Sequence, residues 1–279
     1  MLIRTHTLDI TTQGPLYPPS EVMDEDGRFI VIGAINRDGP DGVETRWGRA
    51  IVAPDSSVPP FGKRAPYRIL EELGDGELPP ATAAKVLHTL PLPLPCNNYP
   101  MRFAPEQHPE ANADERPSYP FHETPIPDLG RPEERQVHAP VTLGDWVAAS
   151  GDLTLTIPPH ARSARFAFTF AGLVPRALYT IMSLRERDLD PAGPTRPAPL
   201  GVPNVFVTDA EGAGRYDVIL PDPFPEPGAP GNRIVNIVVL FMSYQLAHGG
   251  AIGRWGLGGD IHAQLKFARP VFDDLRTSG

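Results

Sequence analysis

Ile234-Val-Asn-Ile-Val-Val-Leu-Phe-Met-Ser-Tyr-Gln-Leu246 is the longest apolar run of the 279-residue chain. As a strand it places the odd positions from Val235 to Phe241 on one face and the even positions from Ile234 to Met242 on the other. Asn236 is the polar exception on the even face. A strand that is apolar on both faces is normally covered on both. We therefore expect a cover from the N-terminal half or from a partner subunit, and a hydrogen-bond partner for Asn236.

The proline content also argues for β-structure. The chain has 36 prolines and 26 glycines, and each proline removes a backbone donor and disfavours the helical turn before it. Only three short helices are predicted, over Pro66–Leu73, Ala81–Leu90 and Leu143–Ala149. The third follows Thr142, with Asp145 three residues later, which is the spacing of a capping box.

Period-two patterns predict strands at Leu153–Ile157 and Phe166–Phe170. A β-branched run after a turn predicts a strand at Arg28–Ile35, and Ile261–Phe267 is the last predicted strand. Val205–Val207 and Tyr216–Leu220 flank a glycine-bearing connection, which predicts a hairpin. The expected fold class is mostly β: an immunoglobulin-like or jelly-roll-like β-sandwich with a Pro-rich, less regular N-terminal half packed on it.

Composition divides the chain into three regions. Residues 1–90 form a β-rich region with short helices, 91–135 a Pro-rich segment, and 136–279 the β-sandwich domain. The Pro-rich segment is either a disordered linker or an ordered strap in polyproline II conformation.

The stretch Leu173-Val-Pro175-Arg-Ala-Leu-Tyr179 resembles the corner between strands E and F of fibronectin type III and related immunoglobulin-like sandwiches. The resemblance implies that Pro175 fixes the turn, Leu173 fills the core and the Tyr179 hydroxyl bonds to upstream backbone. It concerns architecture and carries no function.

Charge and composition exclude several partners. The net charge is -9 without Lys/Arg runs, so we expect neither nucleic acid nor an anionic membrane surface as partner. No apolar run reaches the length of a membrane span, and the N-terminus lacks the apolar core of a secretory signal. The single cysteine, Cys96, fits a cytoplasmic location.

The segment from His248 to His262 is where the sequence predicts a function. It holds six glycines between two strands, with Arg254 and Trp255 in the middle. Glycines permit positive φ and close backbone approach, so the segment is either a flexible hairpin loop or a binding loop that presents Arg254 and Trp255 to a small molecule. It is no phosphate loop, because no Gly-Lys-Ser/Thr and no helix follow.

Histidines around this loop suggest a metal. His248, Asp260 and His262 would lie at one end of the sheet if the flanking strands pair, and they suit zinc, iron or copper. His122 and His138 are weaker additional candidates. The simpler interpretation is a structural histidine with satisfied hydrogen bonds.

Two classes of function remain open. The first is an intracellular β-sandwich protein that binds a small molecule, and in one version transforms it with a His-ligated metal, at the 248–262 end. The alternative is a non-catalytic interaction or assembly module that forms a homo-oligomer. Whether the protein is an enzyme is not decided by its sequence.

Overall fold

A computed structural model describes residues 1–14, 19–57, 59, 63–91, 115–126, 129–160, 162–189, 197–226, 228–247 and 261–277. His248, Arg254, Trp255, Asp260 and Cys96 lie outside these ranges, as does most of the Pro-rich segment. Within them, no helix is long and apolar enough to cross a membrane.

The chain is mostly β, as predicted. Its strands are β1 (Leu2–Thr7), β2 (Asp9–Ile10), β3 (Phe29–Gly39), β4 (Gly42–Val52), β5 (Ile69–Glu72), β6 (Ser150–Ile157), β7 (Ser163–Ala171), β8 (Leu178–Arg185), β9 (Ala198–Pro199), β10 (Val205–Val207), β11 (Gly214–Pro221), β12 (Ile234–Met242) and β13 (Ile261–Lys266). The α-helices are α1 (Pro80–Ala83) and α2 (Leu143–Val147), and 3-10 turns span Phe121–Glu123, Pro132–Glu134 and Glu186–Asp188.

The strands form three antiparallel sheets. The first has the order β1-β6-β7-β11, and the second has the order β10-β8-β12-β13-β2, with β9 paired to β8. The third, β3-β4-β5, is built from the N-terminal half.

The first two sheets share one apolar core, which gives a sandwich-like arrangement that we call the two-sheet core. Phe166, Phe168 and Phe170 of β7 lie in the same buried cluster as Tyr179 of β8 and Phe241 of β12. The alternation that the sequence shows along β7 is therefore the alternation between core and solvent.

Both faces of β12 are buried, as its sequence predicts. Phe241 belongs to the two-sheet core, whereas Val238 and Leu240 belong to a second buried cluster on the outer face. Asn236 has the partners that its burial requires: its Nδ2 donates to Phe267 O (2.8 Å) and its Oδ1 accepts from Phe267 N (3.1 Å).

Residues near the N-terminus complete both sheets of the core. Strand β1 pairs with β6, and β2 pairs with β13 through Ile10 and Leu265. Just beyond β2, the buried Thr12 hydroxyl donates to Ile30 O (2.8 Å) and accepts from Ile32 N (2.8 Å). This hydroxyl fixes the third sheet against the two-sheet core.

Two of the three predicted helices differ from the structure. Pro66–Leu73 contains the edge strand β5 instead, because Leu73 N donates to Arg49 O (3.0 Å) and Ile69 packs on the third sheet's core. Ala81–Leu90 is helical only at its start in α1, after which Val86 and His88 form β-bridges. In both segments pairing with other strands overrides the helical spacing.

The third helix prediction is confirmed. Helix α2 has Thr142 as its N-cap, and Asp145 completes the capping box: Asp145 N donates to Thr142 Oγ1 (3.1 Å) and Thr142 N donates to Asp145 Oδ2 (2.9 Å).

The predicted hairpin around Asp209–Gly214 is wrong. Strand β10 pairs with β8 in the second sheet, whereas β11 pairs with β7 in the first. The connection therefore crosses between sheets, and Asp209 Oδ1 closes it by accepting from Ala213 N (2.7 Å).

The corner between β7 and β8 has the local chemistry that the sequence predicts. The Tyr179 hydroxyl accepts from Val174 N (3.0 Å) and donates to Gln264 Oε1 of β13 (2.7 Å). Gln264 Nε2 in turn donates to Trp146 O of α2 (3.2 Å), and Trp146 Nε1 donates to Thr11 O (2.9 Å). These bonds connect the corner, both halves of the chain and α2.

We expect Tyr179→Phe to lower the free energy of unfolding by about 2 kcal/mol, because it leaves the buried Val174 N and Gln264 Oε1 without a partner. Urea unfolding measures this. Tyr119→Phe is the control and should change stability by less than about 0.5 kcal/mol. An equal, small effect of both variants would contradict the role given to the hydroxyl.

Candidate ligand-binding site

The residues that could bind a ligand lie at one end of the two-sheet core. Strand β12 ends there and β13 and β8 begin there, since Phe241 pairs with both His262 and Tyr179. The glycine-rich segment 248–260 connects β12 to β13 and therefore leaves and re-enters the core at this end.

His262 is buried at this end, with 2% of its surface exposed. Its Nδ1 lies 2.9 Å from Glu21 O, and its Nε2 lies 2.9 Å from Ser243 Oγ. Because a carbonyl only accepts, Nδ1 carries a proton, and in the neutral ring Nε2 then accepts from the Ser243 hydroxyl. The ring also packs on Phe121, with 4.2 Å between centroids. This geometry matches the structural interpretation of His262.

The metal set stays a prediction, because His248 and Asp260 lie outside the described residues. Among the residues that are described, no three His, Cys, Asp or Glu side chains are grouped as metal ligands. His122 lies 3.5 Å from Glu123 Oε1 through its Nε2, and burial lowers the pKa of its imidazole. His138 is exposed.

A groove of about 520 Å³ opens at the same end of the core. Its two walls come from residues 136–141, before α2, and from residues 172–176, at the β7–β8 corner. The walls are mainly apolar, with four titratable or charged side chains: His138, Asp145, Arg176 and Glu211. A concave, largely apolar surface with a few polar groups is the usual form of a small-molecule site.

The groove's corner wall depends on two unusual backbone positions. Gly172 has a φ of 65°, and a Cβ there would lie 2.5 Å from Ala148 O across the groove. Arg176 has a φ of 54°, which is a strained conformation for a residue with a side chain. Its backbone N–H donates to Asp209 O (2.9 Å) and holds this conformation.

The Arg176 guanidinium has no ion pair or hydrogen bond with any described residue. Asp145, one of the two acidic residues that line the groove, is already engaged by the cap of α2. Strain concentrated at an exposed charged residue in a groove is a pattern associated with function. In the sequence, only its place in the corner motif distinguishes Arg176 from other arginines.

A second feature that sequence reasoning missed is the buried Lys266 at the end of β13. Its Nζ donates to Gln13 O (3.1 Å) and Gly14 O (3.3 Å) and lies 5.4 Å from the Trp47 ring centre. Burial lowers the pKa of Lys266 to about 8, and the negative charge of Glu21 opposes that shift. A lysine near the end of a predicted strand, directly after Leu265 and before Phe267, is the signal that could have found it.

No protein-family model matches the chain, and no curated protein matches it either. Its function must therefore be inferred from its own residues.

Lys266 gives a testable pH dependence. Since its pKa is about 8 in the folded protein and near 10.5 when unfolded, the unfolded state binds more protons between these values and stability rises with pH there. We expect its contribution to raise the free energy of unfolding by about 2 kcal/mol between pH 7.5 and 9.5.

Urea titrations at both pH values measure this rise. Lys266→Met should abolish most of it, whereas Lys63→Met, at an exposed lysine, should retain it. The same slope in wild type and Lys266→Met would show that other groups cause it.

Proposed function

We propose that this is an intracellular β-sandwich protein that binds a small molecule at the end of the core where the 248–262 segment attaches. The observation that carries the proposal is the open groove with an unpaired, strained Arg176 among its described lining residues. Its location beside the ends of β12 and β13 agrees with the region that the sequence singles out.

The groove's chemistry favours a particular kind of ligand. Its apolar walls suit an apolar body, and a guanidinium suits a carboxylate or similar anion. The exposed Glu211 would discriminate against ligands with a second anionic group nearby. We therefore propose a compact organic acid as the ligand class.

The 248–262 segment would supply the rest of the site. Under this proposal Arg254 and Trp255 contact the ligand. In the version that includes a transition metal, His248, Asp260 and His262 hold it, with His138 or His122 as additional ligands. Such a metal would support hydrolytic or redox chemistry. His262 would first have to exchange its bonds to Glu21 and Ser243.

The strand order supports the immunoglobulin-like form of the sandwich. If β6, β7 and β11 are strands A, B and E, then β8, β12 and β13 correspond to C, F and G, which is the division between two sheets in that fold. In this assignment the Tyr179 corner joins strands B and C. The resemblance of Leu173–Tyr179 to an E–F corner is thus one of local chemistry.

One observation favours the alternative, a homo-oligomeric assembly module. Val207 of β10 and Ile219 of β11 are apolar and about two-thirds exposed, and both strands are sheet edges. Exposed edges invite pairing with a second copy. Native mass spectrometry tests this alternative directly, because a stable oligomer without ligand binding would favour it.

The ligand class can be tested with a fragment screen by NMR that pairs small organic acids with their uncharged primary amides. We expect acids to bind wild type and to lose about tenfold in affinity in Arg176→Gln, because one charge-assisted contact is removed. Arg215→Gln, at an exposed arginine of β11, is the matched control. Acids that bind Arg176→Gln as tightly as wild type would overturn the proposal.

Strain at Arg176 makes a separate prediction. Arg176→Gly should raise the free energy of unfolding by about 1 kcal/mol, because glycine adopts positive φ without steric cost. The same variant should lose acid binding. Thermal and urea unfolding measure the first effect, and a destabilised Arg176→Gly would contradict it.

The metal version is tested by elemental analysis of protein purified without a histidine tag. A stoichiometric zinc, iron or copper that is lost in His248→Ala would support it. If the purified protein contains no metal and still binds organic acids, the metal version is excluded and the proposed binding site is kept.

A further inference from the structure

We propose that this protein has a second, separate site for a small oxyanion, formed by His122, Thr124, Arg135 and Gln245. These four residues are called the donor cluster below. None of the four lines the groove, and the proposal does not depend on the groove's ligand, but it replaces the role of additional metal ligand for His122.

Each member of the donor cluster has a buried polar atom that finds no hydrogen-bond partner among the described residues. The atoms are His122 Nδ1, Thr124 Oγ1, Arg135 Nη1 and Gln245 Nε2. Buried polar atoms in folded proteins are nearly always paired, with protein groups or with bound water, ions or ligands. Four atoms without such a protein partner in one neighbourhood make a shared ligand the simplest explanation.

Backbone contacts hold these residues together. Arg135 Nη2 donates to Thr124 O (2.7 Å), which places the guanidinium beside that threonine. The next residue, Gln136, donates its N–H to Gln245 Oε1 (3.0 Å), so Gln245 is fixed next to Arg135. His122 lies in the 3-10 turn just before Thr124, and this turn is anchored by the fully buried Phe121.

The chemistry of the cluster selects an anion. The unpaired atoms of Thr124, Arg135 and Gln245 can all donate a hydrogen bond, His122 Nδ1 donates when the ring is protonated, and none of the four belongs to a carboxylate. Arg135 is partly buried and forms no salt bridge with a described residue. Glu123 approaches His122 on its other nitrogen, and its side chain is largely exposed. Glu123 is also the one acidic group that interacts favourably with the Arg135 charge among the described residues. A partly buried guanidinium whose nearest opposite charge is largely exposed to solvent is incompletely compensated, and an oxyanion would complete the compensation.

The same charge argues against a cation. The sequence offers His122 as a weak metal ligand, but a metal ion there would be repelled by the Arg135 guanidinium. A carboxylate offers two oxygens in a plane, and a phosphate offers oxygens in a tetrahedral arrangement. In either group the oxygens can accept hydrogen bonds from a guanidinium, a hydroxyl and an amide at the same time. The ligand class is therefore a small carboxylate or phosphate group.

The test titrates inorganic phosphate and, separately, acetate into the full-length protein at constant ionic strength set with sodium chloride. Calorimetry and thermal unfolding report binding. We expect at least one of the two anions to bind saturably, and the tighter one identifies the class. If neither phosphate nor acetate shows saturable binding, the proposal is overturned.

Thr124→Val separates a ligand contact from a purely structural role. Valine has nearly the same shape, and removing an unpaired buried hydroxyl should leave the anion-free protein equally or more stable. If the hydroxyl contacts the anion, affinity should fall severalfold in the same variant. Unchanged affinity in Thr124→Val would remove this residue from the site and count against the proposal.

Arg135→Gln is the second variant, and it should lower the affinity for the anion by about tenfold or more. Arg215→Gln, which removes an exposed arginine and the same charge, should bind the anion like wild type. An equal loss of anion affinity in both variants would mean that the net charge of the protein alone determines the affinity, and this would overturn the proposal. If Arg135→Gln fails to fold, the Thr124→Val comparison still decides.

Discussion

The Tyr179 hydroxyl is the contact on which the site end of the protein depends. It is fully buried and joins the backbone of the β7–β8 corner to Gln264 of β13, and Gln264 continues the connection to α2. Both walls of the groove are attached to this network, one through the corner and one through α2. Apolar packing supplies most of the stability, but it is not directional. The buried hydrogen bonds fix where the walls stand relative to each other.

The two proposed sites use this framework differently. The groove presents the Arg176 charge to solvent on a strained backbone, and no described residue pairs with that charge. The donor cluster lies just below the surface, and its unpaired atoms are already removed from water. The first therefore suits a ligand that exchanges readily, whereas the second suits one that is retained. An organic acid in the groove and an anion in the donor cluster would not compete for the same charge.

Sequence patterns predicted the elements whose side chains alternate strictly or cap a helix. Strands β7 and β12 and the capping box of α2 are cases in which the local pattern and the tertiary burial agree. The pattern failed at Pro66–Leu73, where pairing with β4 outweighed helical spacing, and at Asp209–Gly214, where the two flanking strands join different sheets. The site was harder still. Arg176 and Arg135 look like ordinary surface arginines in the sequence, because the absence of a partner is visible only in three dimensions.

The pairing of β2 with β13 has a consequence for how the protein is made. Ile10 and Leu265 are direct neighbours in the second sheet although about 250 residues separate them along the chain. Contacts between such distant residues slow folding, because a long loop must close before they form. During synthesis, β2 has to wait without its sheet partner until β13 has been made. The first strands are thus exposed longest to pairing with other chains, and a nascent-chain chaperone would have most to protect at the N-terminus.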